Sequence, residues 1–185
     1  MKRTFILSLM AILFFSSCSY IGGKRIKGNG NTKTETRSAV QFSNIDVSGA
    51  IDVYISQDSA TSVKVEADEN LMEYIDITND GGTLTIQPKD RYNLKPSKKI
   101  KVYVSSPLFK QFEATGACGI YSQNKFTSSN DITINVTGAS TVKMELNAPG
   151  IKADLTGASH INLKGETKNF SVEGSGATSI RCFEL

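Results

Sequence analysis

Apolar and polar residues alternate along most of the chain at period two, the mark of strands with one buried face. The alternation is clearest in "INVTGASTVKMELNAPGIK" (134–152) and "ADLTGASHINLKGETKNFS" (153–171), and both runs break at the same small, glycine-centred motif. "FEATGACGIYSQNKFTSSNDIT" (112–133) precedes them and "VEGSGATSIRCFEL" (172–185) follows. Gly116, Gly138, Gly157 and Gly176 then fall in one column, at spacings of 22, 19 and 19 residues. A period of about 20 residues is that of a solenoid, whose turns stack on their neighbours.

The other columns agree. Phe112, Ile134, Ala153 and Val172 align, as do Ala114, Val136, Leu155 and Gly174. After the motif come Ile120, Val142, Ile161 and Ile180, then Ser122, Met144, Leu163 and Cys182. Ile132, Ile151 and Phe170 align before it. Each coil is a strand, a TGAS corner, a second strand and a looser corner such as "NAPG" or "GETKN". Glycine permits the positive φ of a sharp bend and leaves room for the next backbone. The expected fold class is all-β: a right-handed, single-stranded β-helix, since parallel crossovers are right-handed. The repeating rungs span 112–185 within a domain of 39–185.

The earlier half repeats less cleanly. "FSNIDVSGAIDVYI" (42–55) carries the motif at Gly49. Strands are expected at 62–67, 74–78, 83–88 and 99–105, with a hairpin turn at "NDGG" (79–82) and one short helical turn in "DENLMEY" (68–74). An antiparallel, sandwich-like N-terminal section capping the solenoid is the expectation.

The N-terminus reads as export rather than fold. Lys2 and Arg3 precede the apolar run "TFILSLMAILFF", which is too short for a membrane span of about 20 residues. "SSC" follows, so 1–17 reads as a lipoprotein signal peptide and Cys18 as the lipidation residue. Residues 18–38, from that Cys through "SYIGGKRIKGNGNTKTETRS", lack apolar periodicity and read as a flexible linker. The lipid makes the membrane a partner and implies an exported outer-membrane lipoprotein, facing periplasm or cell surface.

Charge and chemistry narrow the function. Lys and Arg total 21 against 18 acids; removing Lys2 and Arg3 leaves 19 against 18, which gives no reason to expect nucleic acid. His160, the only histidine, has no second ligand or nucleophile beside it, so no metal, cofactor or catalytic residue is expected. Cys118 and Cys182 stand three rungs apart, about 14 Å, where a disulfide needs Cα atoms within about 7 Å; both are expected as free thiols. Glu113, Asn135, Asp154 and Glu173 form an outward column, read as a solvated polar face. Tyr54, Tyr74, Tyr92, Tyr103 and Tyr121 become a sugar-stacking set only if the fold lines them up on one face.

Taken in order, "FSNIDVSGAIDVYI", "DENLMEYIDITNDGGTLTI", "KIKVYVSSPLFKQFEATGAC" and the later TGAS rungs resemble the auto-transporter adhesin, head GIN domain family of Bacteroidetes-type lipoproteins, over roughly residues 40–185. The resemblance implies an exported, β-helical protein and brings no catalytic residue with it. Two departures stand out. Members carry more rungs, whereas the last coil here reaches only "CFEL", so Phe183 and Leu185 either fold back over the stack or leave an open edge. An acidic stretch after the anchor Cys is also lacking, which favours a periplasm-facing anchor. The expected function is a non-enzymatic, lipid-anchored adhesin or binding scaffold for glycan or an envelope protein. A β-helix polysaccharide lyase or hydrolase is the alternative.

Overall fold

The computed structural model describes residues 23–185, without the side chains of residues 183 and 184. The signal peptide, Cys18 and the start of the linker lie outside the described residues. In the first half run β1 (Lys24–Lys27), β2 (Thr32–Arg37), β3 (Asn44–Gly49), β4 (Ile51–Gln57) and β5 (Ser62–Asp68). A 3-10 turn (Glu69–Tyr74), β6 (Ile75–Asp80), β7 (Thr83–Pro88), β8 (Tyr92–Lys95) and β9 (Ile100–Ser106) follow. The repeats form β10 (Gln111–Gly116), β11 (Gly119–Ser122), β12 (Phe126–Thr127), β13 (Ile132–Gly138), β14 (Thr141–Gly157), β15 (His160–Gly176) and β16 (Ser179–Glu184).

The chain is all-β. One sheet runs β2-β5-β9-β4-β11-β14 down one face and β14-β13-β10-β3-β7-β6 back up the other, nearly closing into a barrel-like wall. The doubling back happens inside β14, whose 17 residues turn the corner and serve both faces. Alternate residues fill the space between the faces, among them Val53, Ile120, Val142 and Ile161 on one side and Ile45, Phe112, Ile134 and Ala153 on the other, all buried. Phe42, Phe109, Phe112 and Phe126 form a ring cluster with centroids 5.6–6.4 Å apart in its contacting pairs. Along the stack the core tapers, and Phe170 and Ile180 in the last rung are exposed where Ile151 and Ile161 above them are buried.

The glycine column sets the register. Gly49, Gly116, Gly138, Gly157 and Gly176 are successive parallel partners. All have φ between 91° and 108°. The corner carbonyls of Gly49, Gly116 and Gly138 accept the amide of the next rung's alanine, from Ala117, Ala139 and Ala158 in turn, at 2.7–2.8 Å. A Cβ on Gly138 would stand 2.5 Å from the Gly116 carbonyl oxygen, so nothing larger than hydrogen fits. The residue after the alanine turns inward. Ser140 and Ser159 are buried, and their hydroxyls donate to the corner carbonyls of Gly116 and Thr137, and of Gly138 and Thr156.

Two expectations need correction. Parallel stacking in chain order runs from β10 onward. β3 and β4 are a full parallel rung, wedged between β10–β11 and the β7–β9 layer, because Gly49 supplies the same corner. The N-terminal section is therefore not a separate antiparallel sandwich; antiparallel pairing is confined to β2–β5, β5–β9 and the β6–β7 hairpin. Within the expected linker, Lys24–Lys27 and Thr32–Arg37 are strands rather than flexible chain. β2 covers the edge of β5 with backbone hydrogen bonds while burying little, so its sequence carries no apolar period. The hairpin, the short helical turn and the strand spans agree with expectation to within two residues.

Asp68 fastens this N-terminal layer. Its buried carboxylate accepts the Gly30 amide at 2.8 Å and both the amide and the hydroxyl of Ser97. Burial alone would raise its pKa, but these bonds hold it below the ordinary value. A lowered folded pKa gives stability that is full above the unfolded value of about 4 and is lost as pH falls through the folded one.

Two stability measurements follow. Gly138→Ala should cost about 2–4 kcal/mol in urea unfolding, from left-handed strain plus the clash with Gly116. Gly81→Ala, also at positive φ but with open space around it, should cost only about 1 kcal/mol. Equal losses would remove the stacking argument. Asp68→Asn should destabilise by about 2 kcal/mol at neutral pH, with melting curves of variant and wild type converging below about pH 4. A constant gap down to acid pH would show that the carboxylate charge is not what holds the layer.

Candidate functional site

The face formed by β5, β9, β4, β11 and the first halves of β14 and β15, with β16, turns every second side chain outward. One outward column reads Lys64, Tyr103, Tyr54, Tyr121, Lys143, Asn162 and Arg181, each the partner of the next. Its length follows from the strand spacing, about 29 Å over six steps. Tyr103, Tyr54 and Tyr121 stack, with centroids 5.2 and 5.3 Å apart and planes 21° and 28° from parallel. Lys64 Nζ lies 5.2 Å from the Tyr103 ring centre, a cation–π contact that closes the upper end. Both faces of the Tyr54 ring are thus covered by other rings, and the half-buried column offers ring edges to a ligand.

Gly119 makes the lower part of the stack possible. The Tyr121 ring leans along its strand over this glycine, so that a Cβ there would stand 2.4 Å from the ring and 2.6 Å from Asp52 Oδ1. Asp52 is buried and takes an ion pair at 2.8 Å from Lys99. That bond pushes the Lys99 ammonium up, against the opposing effect of its own burial. Burial, and then the Asp52 charge, pushes the Tyr121 phenol up.

On the side of Asp52 the neighbouring row is ion-paired, with Lys101 and Glu66 2.9 Å apart. On the other side lie Ser56, Ser105 and Ser62, the last two sharing a hydrogen bond at 2.7 Å. Two shallow grooves follow the column. One of about 300 Å³ lies along Ser62, Lys64, Tyr103 and Tyr54. The other, about 320 Å³, lies along Lys143, His160, Asn162, Ser179 and Arg181. Among the described residues no carboxylate forms an ion pair with Lys64, Lys143 or Arg181.

The opposite face has the other sign. Asp46, Glu113, Asn135, Asp154 and Glu173 are successive partners, so the expected outward column exists and extends to Asp46. Gln111 and Asn135 amides donate to Glu113 at 2.8 and 3.2 Å. Lys152 pairs with Asp154 at 3.4 Å. Burial, then the Glu113 charge, raises the Asp46 carboxyl. No group of three or more His, Cys, Asp or Glu among the described residues could hold a metal ion.

Cys118 and Cys182 are free, as expected, Cys118 buried with its thiol pushed up by burial. His160 is exposed on the rim of the lower groove. Of the five tyrosines, three line up; Tyr74 and Tyr92 pair separately, centroids 4.6 Å apart. The basic members of the column were missed at sequence level. A signal was there: Tyr54, Tyr121, Lys143, Asn162 and Arg181 each follow their rung's corner glycine by five residues.

Residues 41–185 match the family described as "Putative auto-transporter adhesin, head GIN domain". Among solved structures, a "putative adhesin" of Bacteroides fragilis is 17% identical with a TM-score of 0.58, over 85% of this chain and 100% of that one. A "putative lipid binding protein" of Parabacteroides distasonis is 17% identical with a TM-score of 0.56, over 88% of this chain and 98% of that one. A "putative adhesin" of Parabacteroides merdae gives 18% and 0.50, over 87% and 100%. No curated protein matches the chain. These likenesses show a shared fold, and with the match over 41–185 the chain belongs to the auto-transporter adhesin, head GIN domain family.

Proposed function

We propose that this protein is a non-enzymatic binding protein of the bacterial cell envelope, held to the outer membrane by a lipid on Cys18. Its repeat region is read as a right-handed β-helix, and the tyrosine–lysine column as its contact face. The observation that carries the reading is that column: aromatic and cationic side chains in register along an outward face. Aromatic rings fixed by one another lose little freedom on binding, which favours recognition over a floppy surface. The family description and the neighbours' names point to adhesion or binding, none to a reaction. The polysaccharide lyase or hydrolase alternative finds no support, since Glu113 is held by neutral amides rather than beside a base.

The anchor is tested by growth with labelled palmitate. The wild-type chain should take up label and sediment with membranes; Cys18→Ser should lose the label and move to the soluble fraction. An unlabelled wild-type chain would overturn the anchor. Protease treatment of intact cells then reads the face: digestion favours adhesion to an outside surface, protection until lysis a periplasmic partner.

A further inference from the structure

The two faces carry opposite charge in register, and only one of them leaves its central cations unmatched. The column Lys64, Lys143 and Arg181 has no ion-pair partner among the described residues, whereas the row beside it is internally neutralised by Lys101–Glu66 and Lys99–Asp52. The unmatched positive charge is therefore one residue wide and runs along the stack, not across it. Lys64 and Lys143 stand four rungs apart, about 19 Å, and Lys143 and Arg181 two rungs, about 10 Å. A small anion reaches one of these groups; only an extended polyanion reaches all three. The serine row and the tyrosines between them supply hydroxyl groups suited to a hydroxyl-rich chain.

We infer that the column binds an extended acidic polysaccharide lying parallel to the stack axis, with its acid groups on Lys64, Lys143 and Arg181 and its sugar rings against the tyrosine edges. The inference rests on the reading of this column as the contact face. Charge complementarity supplies the partner's sign, and the width of the stripe its shape. A flat anionic membrane fits less well. It would also meet the ion-paired rows and Glu145, and the exposed large apolar residues, Val40, Phe170 and Ile180, lie off the outward column. On the reverse face Asp46, Glu113, Asp154 and Glu173 repel the same polymer, so a single orientation is favoured.

The test uses the full lipidated chain in neutral detergent, titrated calorimetrically with polygalacturonate, heparin, monomeric galacturonate and neutral dextran. At least one of the two polyanions should bind, more weakly as salt rises, and the monomer should not. Lys143→Glu with Arg181→Glu should weaken binding about tenfold or more, and Lys143→Gln with Arg181→Gln by less. Glu113→Gln, on the other face, should change nothing, and an unchanged melting temperature should accompany each variant. Failure of both polyanions, or polyanion binding indifferent to the reversals, overturns the inference. Dextran binding that Tyr54→Ala abolishes overturns the acidic chemistry yet keeps the contact face; polyanion binding lost only in Glu113→Gln overturns both. Tighter binding to phosphatidylglycerol vesicles, with the same sensitivity to the reversals, assigns the face to a membrane and overturns the polysaccharide.

Discussion

Everything outward on this molecule depends on a contact too tight for a methyl group. Gly49, Gly116 and Gly138 each offer a carbonyl to the alanine amide of the next rung, and the approach of Gly116, Gly138 and Gly157 to the glycine before leaves space for hydrogen alone. That contact pins one atom of each of these rungs to its neighbour. With a period of two along each strand, the pinned corner decides which residues face in and which face out, all the way to the next corner. A slip of one residue would bury the tyrosines and expose Val53, Ile120 and Val142. The inward hydroxyls of Ser140 and Ser159 strengthen the same lock, because a buried hydroxyl must find an acceptor and the corner carbonyls are the acceptors within reach.

The core explains why the two ends differ. In the N-terminal half of the stack four phenylalanines fill the space between the faces, and the 3-10 turn buries Leu71 and Met72. Burying rings of this size stabilises by about 2–3 kcal/mol each, so this half also gains the most from burial. Towards β16 burial falls away: Phe170 and Ile180 are exposed and Val172 is only partly buried, so the faces hold less between them. The stack is thus anchored at the end where the chain arrives, and Asp68 ties the Gly30 turn before β2 to the Ser97 loop before β9.

How much of this the sequence showed depends on what holds each part. Rungs held by side chains were legible: the glycine column, the apolar columns beside it and the unbridged cysteines all follow from spacing. Parts held by backbone alone were not. β2 reads "TKTETR" and buries almost nothing, so no apolar period announces it. The place of β3 and β4 in the stack was hidden for another reason: β5 to β9 come between them and β10 in the chain, and spacing cannot show that Gly49 and Gly116 are neighbours. Tyr103 lacks a corner glycine altogether; it joins the column only because β9 pairs with β4. The column was therefore half visible, at the positions counted from a glycine.

The stacked tyrosines give this face its particular chemistry. Had the rungs been spaced more widely, each ring would present a flat surface on which a sugar could lie. At strand spacing the rings lie on one another, and those surfaces are consumed within the protein. What remains is a rigid ridge of edges with cations above and below it. Such a ridge has little affinity for a neutral sugar by itself, because edge contacts are small and hydroxyls exchange water for protein at little gain. Charge is what can add to it, and the unmatched charges lie at the two ends of the ridge, where a chain must be long to reach both. The same stacking that stiffens the sheet thereby moves recognition from single sugars to the repeat of a polymer.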